Sequence, residues 1–230
     1  MPIISTQAEH LTVLNLFTTD APDKQDTLIQ EMTKIVQAAA YEGWMSSTVH
    51  SGVDAPGTAN LIQWRSGEDL EKRYAGEEFK HRTLPVFGEI TTSIRLLQNE
   101  IAYTLTHPSL GGVLEVSPDR DDYTAITVYG VAQENQAELI DALGPAQAGI
   151  TDAPGFRSLA VFKGLRARGV DGAFVVRYEQ WDSKQSYDAH LALPKDKWPS
   201  GRQKAEARIQ AVATSVDSNT YRVVLTRAAG

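Results

Sequence analysis

The chain has 230 residues, 42% of them hydrophobic and 22% charged, as expected of a globular protein with one large or two small cores. Its 22 basic and 29 acidic side chains leave a net charge of −7, which argues against nucleic acid or an anionic membrane surface as partner. No cysteine is present, so disulfides, thiolate metal sites and cysteine nucleophiles are excluded.

Residues 1–10 lack a basic segment followed by an apolar run, and no stretch approaches the roughly 20 apolar residues of a membrane span; a cytoplasmic protein is expected. His10 to Thr18 alternates and is rich in Leu, Val and Phe, which predicts a strand. The turn at Asp20–Asp23 opens a helix on which Leu28, Met32, Ile35, Val36 and Ala39 form an apolar stripe. Trp44–Ser51 and Thr58–Arg65 read as strands around a Gly- and Pro-containing hairpin loop. A helix over 67–74, a second short one near 79–87 and a long strand over 93–106 follow.

Residues 107–121 carry Pro108, Gly111, Gly112 and Pro118 and read as a linker with one short strand near 113–116. The acids at Asp119–Asp122 read as a solvated turn. Beyond it the same order returns. A strand at 123–131, a helix at 135–150 and strands near 156–163 and 173–181 precede helices from Ser183 and over 201–214. A strand over 220–226 ends the series.

The repetition extends to residues. Trp64-Arg65-Ser66 returns as Trp181-Asp182-Ser183 at an offset of 117, and Gly43-Trp44 as Gly155-Phe156 at 112. So long a period means two copies of one small domain rather than a solenoid. Each copy reads strand, helix, strand, strand, helix, strand, the ferredoxin-like order. The predicted fold class is therefore α+β, with tandem ferredoxin-like domains at 1–106 and 122–230. Each sheet is apolar on both faces, so the two are expected to pack sheet to sheet as a barrel.

Side chains two apart on a strand share a face, which groups Asn60, Ile62 and Trp64 and, on the neighbouring strand, Ser46, Thr48 and His50. An amide, an aromatic platform and an imidazole around one cavity would bind a flat polar molecule and move a proton. Asn15, the one strongly polar residue of its strand, is a further lining candidate. Each has a plainer reading. A strand Trp is usually core, Asn60 flanks a turn, and His50 sits near a hairpin end. The second copy has Arg177 at the place of Asn60, Phe162 near that of His50 and Thr127 at that of Asn15, so the first copy is the better candidate for chemistry. The histidines at 10, 50, 81, 107 and 190 show no i, i+4 pair, and no metal site is predicted.

With Asn60-Leu-Ile-Gln-Trp64 on its third strand and His50 on its second, the duplicated unit resembles the antibiotic biosynthesis monooxygenase family of dimeric α+β barrels, here as a tandem member. Actinorhodin-type and angucycline-type polyketide oxygenases of that family are the nearest functional kinds. The resemblance implies an oxygenase that turns a polycyclic phenol or anthrone into a quinone or ring-opened product. O2 would be the co-substrate, with no metal and no tightly bound cofactor. It also implies roles: His50 as base, Asn60 as donor to a substrate oxygen, Trp64 as stacking surface, and Arg82 as partner of the phenolate. Asn15, Tyr74 and Trp181 would help to bind substrate. The family's tyrosine six residues beyond the Trp is Leu70 here, whereas Tyr187 holds that place in the second copy.

Ring cleavage with diffusible reduced flavin from a reductase partner stays open, as does a homodimer. No Gly-rich dinucleotide fingerprint follows a strand, since Gly164–Gly169 lies in a hairpin. Haem-degrading relatives would match Asn15 and Trp64, but Tyr74 stands where their axial His is expected. A non-catalytic small-molecule-binding barrel is the reading from a different class.

Overall fold

The computed structural model describes residues 1–229, Arg82 by its backbone alone. Its elements in chain order are β1 (Ile3–Ile4), β2 (Leu11–Thr18), α1 (Pro22–Ala38), β3 (Trp44–Gly52), β4 (Gly57–Trp64), α2 (Gly67–Ala75), α3 (Leu84–Ile90) and β5 (Ser93–Thr106). Then come β6 (Leu114–Glu115), β7 (Tyr123–Val131), α4 (Gln136–Leu143), β8 (Phe156–Arg168), β9 (Ala173–Trp181), α5 (Lys184–Leu191), α6 (Ser200–Val212) and β10 (Ala213–Ala228).

The first copy orders its strands β3-β4-β2-β5, and the second orders its own β8-β9-β7-β10. Both are ferredoxin-like, and pairing of β5 with β8 and of β10 with β3 closes the sheets into one eight-stranded antiparallel barrel. Closure leaves the barrel without an edge strand and hides the face that each sheet would otherwise expose. Leu14, Leu16, Leu61, Leu97, Phe162, Val176 and Tyr178 are among the interior side chains. The opposite faces pack on helices as two further cores, one per copy.

Paired positions behave alike in the two copies. Ser46 donates to Gln63 Oε1 at 2.7 Å, as Ser158 does to Gln180 Oε1 at 2.5 Å. Gln63 then donates to the Ile3 carbonyl and Gln180 to the Glu115 carbonyl, and these two backbones pair in the ribbon β1–β6. Ile4 and Leu114 of that ribbon, with Val116 just beyond it, join the interior core, so the region read as a linker is a stopper for the barrel.

Three expectations change. The acidic cluster is not wholly solvated: Asp122 is buried and takes Arg120, Arg157 and Gln180 on its carboxylate. The helix predicted to Ile150 ends at Leu143, because Pro145 cannot continue an α-helix, and residues 145–152 form 3-10 turns instead. The last strand runs from Ala213, well before 220, since it must span both β7 and β3. No described helix is long and apolar enough to cross a membrane.

Gly43 and Gly155 occupy matching positions at φ of 75° and 79°. A Cβ on Gly43 would overlap the carboxylate of buried Asp69, which with Ser66 caps the start of α2. We expect Gly43→Ala to lose roughly 1–3 kcal/mol in urea unfolding, from left-handed strain and the displaced cap. An unchanged midpoint would show that the turn relaxes freely.

Candidate active site

In the first copy a cavity lies between the sheet and α1, α2 and α3. Strand parity fixes who reaches it. Asn15 stands on β2 between Val13 and Phe17, both of the helix-side core. Asn60 and Trp64 face the same way from β4, and the register sets Asn15 directly opposite Asn60. Two amides therefore lie side by side on the cavity floor. From α2, Leu70, Arg73 and Tyr74 fall at i, i+3 and i+4 and turn one face inward.

The walls are aromatic. Tyr41 stacks on Trp64 with centroids 6.4 Å apart, Tyr74 lies 4.7 Å from Phe79, and Phe17 meets Phe87 edge-on. Against this apolar lining, Asn15 Oδ1, Asn60 Oδ1, Trp64 Nε1 and Tyr74 Oη are buried with no hydrogen-bond partner. Burial pushes the Tyr74 phenol up to about 12, opposed by Asn15 and by Arg168, whose guanidinium lies 5.2 Å from the Tyr74 ring. Tyr74 thus keeps its proton at neutral pH. Arg73, with its side chain only 9% exposed, sets its guanidinium 4.1 Å from the Tyr41 ring centroid and also meets Thr83 and Glu78.

Of the residues read from sequence, Asn15, Asn60, Trp64 and Tyr74 line this one cavity. His50 does not. It pairs with Ala59 whereas Asn60 pairs with Val49, so the imidazole points the other way, into the barrel. A shift of one residue moves a strand side chain to the opposite face. There His50 is fully buried: Nδ1–H donates to the Ala59 carbonyl at 3.1 Å, and Nε2 accepts from Tyr178 Oη at 2.9 Å. Trp181 is also elsewhere, buried in the helix-side core of the second copy against Phe156, Tyr187 and His190. The side chain of Arg82 lies outside the described residues; its backbone sits in a π-helical turn, Phe79–Thr83, between α2 and α3.

The sequence reading missed Arg73, although its i+3 spacing from Leu70 was available to find it. Tyr41 and Trp44 were missed too, because they enter from the turn after α1 and the first residue of β3. No imidazole is among the lining side chains, so the residues present do not fit haem ligated as in the haem-degrading relatives. Among the described residues no three His, Cys, Asp or Glu side chains converge as metal ligands.

The antibiotic biosynthesis monooxygenase family matches residues 122–195, the body of the second copy. Tetracenomycin-F1 monooxygenase of Streptomyces glaucescens is 41% identical over 81 residues, 35% of this chain and 68% of that protein. The crystal structure of an anthrone oxidase-like protein is 64% identical at a TM-score of 0.97, covering 100% of this chain and 97% of its own. The chain belongs to the antibiotic biosynthesis monooxygenase family. A structure from Fusobacterium nucleatum subsp. nucleatum, 10% identical at a TM-score of 0.64 over 97% of this chain and 96% of its own, shares the fold alone. Within the family this is a tandem member, with both halves of the barrel in one polypeptide.

Burial lowers the His50 imidazole from 6.5 to about 4, against the support of its backbone contacts. Between those values the unfolded chain binds the extra proton and the folded chain does not. The contribution is therefore full above about pH 6.5 and drains away as the pH falls towards 4, roughly 3 kcal/mol in all. We expect urea unfolding at pH 7 and pH 5 to show a loss on acidification that His50→Gln reduces. An equal loss in both proteins would mean that His50 is not the group responsible.

Proposed function

We propose that this family member is an oxygenase acting on a polycyclic aromatic polyketide, a phenol or anthrone, in antibiotic biosynthesis, and that the cavity of the first copy carries the reaction. The observation behind this reading is four unpartnered polar atoms set in an aromatic cavity. A flat, hydroxylated and carbonylated ring system would stack on Trp64 and Tyr41 while its oxygens meet those atoms. Its hydroxyl would donate to an amide oxygen, and its carbonyl would accept from Trp64 Nε1–H or Tyr74 Oη–H. Similarity to an anthrone oxidase-like protein and to tetracenomycin-F1 monooxygenase supports a substrate of this kind.

The chemistry balances without an outside reductant. An anthrone methylene loses a proton, and the resulting anion passes one electron to O2. The two radicals join as a carbon-bound peroxide, which loses water to leave a carbonyl, so CH2 and O2 become C=O and H2O. The protein binds the ring, excludes water and lowers the energy of the anion. Because His50 faces the barrel, deprotonation is assisted by charge rather than by a histidine base. Arg73 is the buried cation at the cavity, and an oxyanion near it would form at a lower pH than in water. Inserting oxygen into a ring that does not itself give up two hydrogens would require two outside electrons, the part a reduced flavin would play. The anthrone reading needs none.

We expect Asn60→Ala, which removes an amide whose N–H can turn to the oxyanion as it forms, to lower kcat by roughly 10² to 10³ in oxygen-consumption assays on a hydroxyanthrone, as loss of an oxyanion donor does elsewhere. Arg73→Met should lower kcat and also move the acid limb of the pH–rate profile upward, because the substrate then ionises at higher pH. Full turnover by both variants, each verified as folded by its melting temperature, would remove the reaction from this cavity.

A further inference from the structure

The second copy has a cavity in the matching place, between β7, β9, α5 and α6. Its lining has changed character. Arg177 and Glu179 replace Asn60 and Ile62 at the 117 offset, and His190 replaces Arg73. Arg177 and Glu179 pair at 2.9 Å with side chains only 12% and 9% exposed. Apolar packing of the same volume would be at least as stable as such a buried pair, so stability alone does not account for it.

The hydrogen bonds leave donors in surplus. Glu179 is taken by Arg177 Nη2, and Glu206 accepts from Gln210. Arg202 donates to the His190 carbonyl and lies 4.2 Å from the Trp198 ring centroid; Glu206 and Glu179 are near enough to act on its charge, but among the described residues neither forms an ion pair with it. Arg177 Nε and His190 Nδ1 are buried without partners. Burial first, and then the nearby Arg202 and Arg177, lower the His190 imidazole to about 4, so it is neutral beside them at neutral pH.

We propose that the cavity of the second copy is a binding site for a small organic carboxylate, held between the Arg177 and Arg202 guanidiniums with His190 at its side. A carboxylate there would accept from Arg177 Nε and from the free guanidinium edge of Arg202, pairs that are strong when both partners are charged and partly desolvated. The aromatic ring of Tyr187 lines the same space, so an aromatic acid fits better than acetate. The site works alongside the first cavity and does not depend on the reaction assigned there.

The test is calorimetric titration of the full chain with salicylate, followed by NMR of the His190 ring. We expect saturable binding near one per chain, a shift of the His190 signals, and weakening of roughly 10- to 100-fold in Arg202→Gln. Arg202 sits near the mouth and its substitution should leave the fold intact; Arg177→Met, checked by melting temperature, should weaken binding at least as much. Catechol, a ring without the carboxylate, should leave His190 undisturbed. Absence of saturable binding, binding that both arginine variants retain, or an equal His190 response to catechol would each overturn the proposal.

Discussion

A four-stranded sheet with apolar residues on both faces cannot remain single in water, and the rest of this molecule follows from that constraint. Helices cover one face of each sheet. The other faces can be buried only against each other, and the edge strands β5 and β10 reach across to β8 and β3 to complete the cylinder. The interior is then sealed and unavailable to substrate. Leu114, Val116 and Ile4 stopper it, and the His50 imidazole inside is paired with Tyr178. Any cavity able to take a ligand must form on the outer faces, between sheet and helices.

Joining the halves covalently frees the two outer cavities to differ. A dimer of identical chains would carry the same side chains in both. Here the pair Asn15 and Asn60 faces Thr127 and Arg177 in the matching register. The first cavity is aromatic with isolated polar tips, and the second is ionic. The family match falls on residues 122–195, in the half with the ionic cavity, so membership of the fold and placement of the chemistry are separate questions.

Much of the architecture was legible because it rests on periodicity and on a duplication that leaves residue-level marks: Trp64 and Trp181, Ser66 and Ser183, Gly43 and Gly155. The site was only partly legible, for a geometric reason. Asn60 and Trp64 sit on one strand, where parity alone groups them, and both reach the cavity. Relating His50 to Asn60 requires the register between two strands, and one residue of error reverses the face. Arg73 required knowing which face of α2 turns inward. The segment 107–121 looked like a linker because its composition is turn-rich, yet its few apolar residues plug the barrel, a long-range contact that no local pattern encodes.

The unpaired groups of the first cavity carry an energetic meaning. A buried polar atom without a partner costs about 1–3 kcal/mol, and four of them draw on a total stability of only about 5–15 kcal/mol. Such a cluster is tolerable when something else supplies the partners. Asn15 and Asn60 offer amides that can present either oxygen or N–H, Trp64 only donates, and Tyr74 stays protonated because burial raises it. Arg73 adds positive charge at the same wall. None of these groups is a strong base; Trp64, Tyr74, Arg73 and the amide N–H groups favour an oxygen that is gaining negative charge, while the amide oxygens hold a neutral hydroxyl. On the function proposed above, these groups would hold an anion as it forms, which is the part of a reaction between a carbanion and dioxygen that a protein without a nucleophile can still accelerate.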